Sequence, residues 1–256
     1  MFQQEFSAAA DAAAGKYRLL SRSPLSYLLL SMLAGAYIGF GVLLTNTIGA
    51  SLQGSPFTKL ILGLAFGVAL SLVVMAGAEL FTGNNLVMAA GVIKGKVTLL
   101  QALGLWALCW LGNLLGAMLL AGVYDLSGLG QNGVGEYMAA AAAAKAGAGI
   151  VPLFCRGILC NVLVCLAVWC GFRAKSDAGK LIMIFWCLFA FITSGFEHSV
   201  ANMTLFSAVL FRPSLEGLTL AGALHNLLWV TLGNLVGGVV FVALPYASAA
   251  KAGERS

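Results

Sequence analysis

The sequence predicts an all-α integral membrane protein with six transmembrane helices, arranged as a 3+3 inverted repeat in which the second and fifth helices are broken. Three observations carry this. First, 61% of the 256 residues are hydrophobic and only 9% are charged, where a soluble domain carries about a quarter charged residues. Second, the apolar residues come in continuous runs near the ~20 residues that span a bilayer as a helix, not in the alternating segments of a barrel. Third, two of these runs are interrupted by short polar motifs that align with one another. The whole chain, 1–256, reads as one transmembrane domain.

The first 24 residues, MFQQEFSAAADAAAGKYRLLSRSP, are polar and mildly amphipathic. Their positive charge follows the small residues instead of preceding an apolar core, so no cleavable signal is expected. They read as a cytoplasmic lead-in or short surface helix. Six passes follow, at 25–45, 60–78, 98–124, 151–172, 181–194 and 218–244. The second runs into ELFTGNN and resumes as LVMAAGVI. The fifth is short, runs into GFEHSVAN and resumes as MTLFSAVLF. Interrupted apolar segments in corresponding places point to a transport site. The stretch 125–149 is the one long connection, and its alanine tract favours a helix. Residues 246–256 form a polar tail.

Lysine and arginine set the orientation. Ten of them (Lys16, Arg18, Arg22, Lys94, Lys96, Arg173, Lys175, Lys180, Lys251 and Arg255) fall on one side of this plan, against four (Lys59, Lys145, Arg156 and Arg212) on the other. Both termini are therefore expected in the cytoplasm of a cell whose inner membrane holds the protein.

The repeat is carried by two motifs. GAELFTGN (77–84) aligns with GFEHSVAN (195–202), and LGNLLG (111–116) with LGNLVG (232–237). Glu79 and Glu197 are 118 residues apart, Asn113 and Asn234 121. Because each half holds three passes, an odd number, the second half must enter the membrane from the opposite side. Glycines four apart (Gly35/Gly39, Gly63/Gly67, Gly112/Gly116, Gly233/Gly237) put small surfaces on single helix faces, where helix backbones approach closely.

An ionised side chain in the bilayer centre costs about 2.5–3.5 kcal/mol, so each polar residue in these passes needs a reason. Glu79 and Glu197 precede the two breaks and read as break-shaping, with Asn84 and Asn202: each carboxylate is expected to accept bonds from amides freed where a helix stops. His198 departs from the repeat, its aligned partner being Leu80, and is the better candidate to meet a solute. A neutral imidazole donates to an anion and exchanges protons near neutral pH. Thr82, in the first break, either donates to an anion or holds the loop. Lys145 and Arg156 either gather anions at a mouth or snorkel to headgroups. His225 reads as interfacial packing. The six cysteines lie in apolar runs; Cys155, Cys160, Cys165 and Cys170, five apart, share no helix face and read as buried hydrophobes rather than metal ligands.

The segments AELFTGN, GFEHSVANM, RGILCNVLVCLAVW and HNLLWVTLGNLVGG, in this order across the chain, resemble the formate/nitrite transporter family, and most closely its nitrite channel branch. The resemblance implies an aquaporin-like six-helix bundle, assembled as a homopentamer with one pore per protomer. It makes His198 and Thr82 the substrate-binding and proton-relay pair, places Lys145, Asn161 and Asn234 at the vestibule, and maps the apolar constrictions onto Phe66, Leu70, Leu80, Phe81, Val164 and Phe191. Glu79 stands where the formate branch often has Asp. The implied activity is passage of a small weak-acid anion, nitrite first, with formate or hydrosulfide as alternatives. Lys145 would gather the anion and His198 would supply a proton, so that a neutral acid crosses the apolar ring; a bare charge there costs far more.

A water or glycerol channel of the aquaporin kind would carry paired Asn-Pro-Ala motifs; none occurs, and all five prolines lie outside the breaks. A haem-bearing redox subunit would need His198 and His225 at matching depth, and a purely structural pentamer leaves His198 unexplained. The expected partners are the anion, the lipid bilayer and further copies of the chain, with no cofactor, metal, nucleic acid or enzymatic activity.

Overall fold

The computed structural model describes residues 2–131 and 133–252; Arg255 and the end of the polar tail, 253–256, lie outside the described residues. Every regular element among these residues is helical. The chain runs through α1 (Gln3–Arg22), α2 (Pro24–Ser51), α3 (Thr58–Ala76), α4 (Phe81–Ile93), α5 (Leu99–Leu126) and α6 (Val134–Ala146). It continues through α7 (Ile150–Arg173), α8 (Asp177–Ser194), α9 (Ser199–Leu210) and α10 (Leu220–Gly238), then a π turn (Val239–Ala243) and α11 (Leu244–Ala252). Six helical stretches among the described residues are long and apolar enough to cross a membrane: α2, α3, α5, α7, α8 and the run from α10 through α11. The shorter apolar helices are α4 and α9.

Local chemistry sets several boundaries. α8 starts at Asp177, four residues before the apolar run at 181, because Ser176 accepts from the Gly179 amide and caps a polar first turn. Thr98 and Gln101 form a capping box at the start of α5, and Thr219 caps α10. α3 and α8 both stop at the glycine shared by the two aligned motifs, Gly77 (φ 81°) and Gly195 (φ 75°). These left-handed conformations suit glycine and end a helix.

The bundle pairs α2 with α5 and α7 with α10 through small residues. A Cβ at Gly35 would collide with the Asn113 carbonyl, and one at Gly116 with that of Met32. At the second crossing, Gly233 faces the Phe154 carbonyl and Gly237 that of Ile158. The α3–α8 crossing places Gly63 and Gly67 against Phe189 and Phe185.

The amino-terminal segment is more than a surface helix. Phe6, Ala9, Ala10 and Ala13 of α1 are fully buried; the first three pack with Leu86, Ala89 and Ala90 of α4, Trp169 of α7 and Val242 and Ala243 of the π turn, and Ala13 lies against Gly91 of α4. Alanine gives little hydrophobic contrast in a sequence, yet a stripe of it allows a helix to lie close against a neighbour. Phe2, Trp169 and Tyr246 close this cluster, with Trp169 stacked on Tyr246 at 4.1 Å between centroids. Ion pairs Lys96–Asp11 (2.8 Å) and Arg173–Glu5 (3.6 Å) flank it.

Candidate functional site

The segments 77–80 and 195–198, between α3 and α4 and between α8 and α9, are held by one hydrogen-bonding scheme used twice. The Glu79 amide donates to the Leu30 carbonyl (3.1 Å), and the Glu197 amide to that of Arg156 (3.2 Å). The first amide of α4, on Phe81, donates to Asn113 Oδ1 (2.9 Å); the first of α9, on Ser199, donates to Asn234 Oδ1 (3.0 Å). Each asparagine then spends its Nδ2 on two carbonyls: Asn113 on Ser31 (2.7 Å) and Glu79 (2.9 Å), Asn234 on Gly157 (2.8 Å) and Glu197 (3.0 Å). Both asparagines are fully buried. The asparagine of each LGN motif is thus a remote cap for a half-length helix, answering donors that no preceding turn can satisfy.

The two glutamates bind differently from the sequence expectation. Their carboxylates take side-chain donors, not freed backbone amides. Glu79 accepts from Lys16 Nζ (2.6 Å), Asn84 Nδ2 (2.9 Å) and the Tyr27 hydroxyl (3.2 Å). Glu197 accepts from Lys145 Nζ (2.8 Å) and Asn202 Nδ2 (2.7 Å). The remote asparagines already hold the amides, which leaves each carboxylate to face a lysine, of α1 for Glu79 and of α6 for Glu197. Both glutamates are buried, and an unpaired carboxylate there would be strongly unfavourable. Sequence reasoning missed Lys16, counting it only toward orientation. The available signal was position: Lys16 lies shortly before α2 and Lys145 shortly before α7.

His198 is the N-cap residue of α9, with φ −112° and ψ 114°; Leu80 holds the same place before α4 at φ −103° and ψ 123°. The Ala201 amide donates to His198 Nδ1 (3.1 Å). That bond requires a lone pair on Nδ1, so the neutral ring carries its proton on Nε2, which lies 3.0 Å from Thr82 Oγ1. Nε2–H donates to the hydroxyl oxygen, and the hydroxyl proton is left for another acceptor. Phe191 lies nearly parallel to the imidazole, 6.0 Å between centroids.

Two cavities meet at Leu70 and Leu80, and the smaller one reaches His198 of this pair. A cavity of about 410 Å³ is lined by Lys16, Glu79, Asn84, Gly83, Val168 and Phe172 among others, and ends at Leu70 and Leu80. Beyond them lies a chamber of only about 10 Å³, lined by Ile38, Phe66, Leu70, Leu80, Val164, Leu188, Phe191 and His198. Phe66 packs edge-on against Phe191 at 5.7 Å. The structure thus gathers His198, Thr82, Phe66, Leu70, Leu80, Val164 and Phe191 into one place.

Three expected residues lie elsewhere. Phe81 is buried at the floor of an apolar groove of about 680 Å³ between α5 and α10, with Trp106, Trp110 and Leu227: as the first residue of α4 it points away from the chamber that Leu80, just before it, enters. Asn161 and Asn234 are fully buried, not at a vestibule. An amide inside apolar helices is held where backbone needs it, and Asn161 Nδ2 donates to the Asn234 carbonyl (2.6 Å) and the Thr82 carbonyl (3.3 Å). His225 lies 3.2 Å from the Ala148 carbonyl, in a packing position. No cluster of potential metal ligands occurs among the described residues.

Comparison with known proteins agrees with this architecture. The family model described as formate/nitrite transporter matches residues 3–248. The chain is 44% identical over 256 residues to the nitrite transporter NirC of Salmonella typhimurium, covering 100% of this chain and 94% of that protein. It superposes on a solved FNT family ion channel with a TM-score of 0.91 at 42% identity, covering 96% of this chain and 98% of the other. A pentameric formate channel with formate bound follows at TM-score 0.77 and 29% identity, covering 89% and 98%. With its six long apolar helices, its full-length match to the family model and these relatives, the chain belongs to the formate/nitrite transporter family.

Proposed function

We propose that the protein is a channel that passes nitrite across a bacterial inner membrane, with both termini in the cytoplasm and five identical protomers, each with its own pore. The observation that carries this reading is the Thr82–His198 pair, two hydrogen-bonding groups 3.0 Å apart beside a chamber otherwise walled by apolar side chains. A small planar anion entering between them meets two donors, the Thr82 hydroxyl and, once that hydroxyl turns away, His198 Nε2–H. Leu70 and Leu80 close the chamber on the side of α1, and Phe66 with Phe191 close it on the other. Nitrite relatives at 44% identity over nearly the whole chain support nitrite as the first substrate; formate and hydrosulfide, equally small weak-acid anions, suit the same donors. The matched hydrogen bonds of the two breaks support a 3+3 inverted repeat in which α3–α4 and α8–α9 are the broken second and fifth helices, shaped by Glu79, Asn84, Glu197 and Asn202. Lys145 and Lys16, each paired with a glutamate, stand at opposite ends of the path.

The proton relay has to satisfy the geometry of His198. Loss of the Nε2 proton from a neutral ring leaves an imidazolate unless Nδ1 gains a proton at the same time, and the Ala201 amide occupies Nδ1. We therefore read His198 as a neutral donor that orients the anion, while the proton that neutralises the anion comes from the bulk solution as hydronium and is passed along water in the flanking cavity. Nitrite uptake into proteoliposomes across pH tests this with His198→Asn, which keeps an N-cap acceptor. Weaker nitrite saturation with an unchanged acid dependence is the expected result; loss of the acid dependence would return the relay to His198.

A further inference from the structure

Two side chains of α7 meet the backbone of the turn that carries Thr82. The Asn161 amide donates to the Thr82 carbonyl at 3.3 Å, and the Cys165 thiol donates to the same oxygen at 3.4 Å. One helical turn apart, they share a face of α7. Both are fully buried, and neither lines the cavities that meet at Leu70 and Leu80, so neither touches a passing anion. Cys165 is thus more than the buried hydrophobe its apolar run suggests. The space both groups need is left by Gly238, the last residue of α10. A Cβ there would stand 2.8 Å from Cys165 Sγ and 2.9 Å from Asn161 Nδ2, closer than side chains tolerate.

The aligned motifs indicate that the scaffold does not demand these donors. The carbonyls that play the same parts in the two breaks, Leu30 with Arg156 and Ser31 with Gly157, bring α2 and α7 into register. Gly35 then answers Asn161, and Gly39 answers Cys165. The motifs themselves set Val200 of α9 against Thr82 of α4, and Ala117 of α5 against Gly238 of α10. So α2 has glycine at both places, α9 has an apolar residue, and α5 has a methyl group where α10 is bare. The amide, the thiol and the space for them occur together where a hydroxyl faces His198. At the matching positions all three are missing.

We propose that Cys165 is a positioning residue for the anion site: with Asn161 it clamps the first turn of α4 by the Thr82 carbonyl, and so holds the Thr82 hydroxyl within hydrogen-bonding distance of His198 Nε2. Asn161 Nδ2 also donates to the Asn234 carbonyl in α10, and the Asn234 side chain caps α9 beside His198. The two half-length helices are thereby fixed relative to one another through α7 and α10, with Gly238 leaving the room for both donors. The effect on transport rests on the nitrite reading above; the thiol–carbonyl bond does not.

Infrared spectroscopy tests the bond. The S–H stretching band that the native protein has and Cys165→Ala lacks is expected below the frequency of a free thiol; a band at the free position overturns the bond. In proteoliposomes, Cys165→Ala is expected to raise the half-saturating nitrite concentration about threefold, the scale of a weak hydrogen bond, with the maximal flux retained. Cys165→Ser keeps a donor and should recover most of the native value. An unchanged half-saturation in Cys165→Ala, or a serine variant no better than alanine, overturns the positioning role. Should Cys165→Ala not fold, Cys165→Val, which fills the site without a donor, is read in the same way. The double variant Thr82→Ala/Cys165→Ala tests the route. With the hydroxyl gone, loss of the thiol should change half-saturation no further, and a second threefold rise refutes action through Thr82. Undiminished saturation in Thr82→Ala alone indicts the anion site, while the infrared band still reports the bond.

Discussion

His198 uses its two ring nitrogens for two purposes: Nδ1 caps α9 and Nε2 faces Thr82. His198→Leu is therefore expected to lose cap and donor together, destabilising α9 by about 1 kcal/mol, whereas His198→Asn loses only the ring. Thermal unfolding of the two variants, compared side by side, checks this. The buried glutamates make a stronger test. Lys145 is Glu197's only cation partner among the described ion pairs, so Lys145→Met leaves a buried carboxylate uncompensated, a loss of about 3 kcal/mol at the low end of the range for breaking a buried pair. Adding Glu197→Gln should recover most of that stability, since the amide still accepts from Asn202. Thermal midpoints of the single and double variants report it, and a double variant no better than the single would refute the pairing argument. The sequence marked Glu79, Glu197 and His198 as residues needing a reason. It could not name their partners, because Lys16 and Glu79 lie 63 residues apart and Lys145 and Glu197 52 apart, and only packing brings them together.

At the scale of elements, apolar runs and capping residues account for most of the helices. The ends of α3 and α8 were legible too: polar motifs in apolar surroundings, each opening with a glycine that adopts positive φ. Replacing Gly77 or Gly195 with alanine forces a side chain into that region and should cost about 1–2 kcal/mol, read as a lower midpoint. The burial of α1 was not legible, since its contacts come from alanines and two terminal phenylalanines. Phe6→Ala should leave a cavity among Trp169, Leu86 and Val242 and cost about 3 kcal/mol. Faster tryptic cleavage at Lys16 and Arg18, with the remaining helices still protected, is the expected sign that α1 has come loose.

For the whole molecule, the distribution of lysine and arginine makes a topological prediction. A reporter active only in the cytoplasm should work when fused to either terminus, and a reporter active only outside should work when inserted near residue 130, in the α5–α6 connection. Native mass spectrometry of the extracted protein should give a mass of five chains. The opposite topology, or a monomer in mild detergent, would contradict the proposed assembly.

The sequence by itself determined that this chain lives in a bilayer, how many long apolar helices it has, where two of them stop, and which family it resembles. Those properties depend on composition and on periodicity over a few turns, which are local. Only the tertiary structure decided which residues meet: that Asn113 and Asn234 cap helices they do not belong to, that Phe81 turns from the chamber Leu80 lines, and that the Ala201 amide occupies His198 Nδ1. Hydrogen bonds act over about 3 Å, so residues far apart in the chain pair only after close helix packing at small residues has set the distances between them.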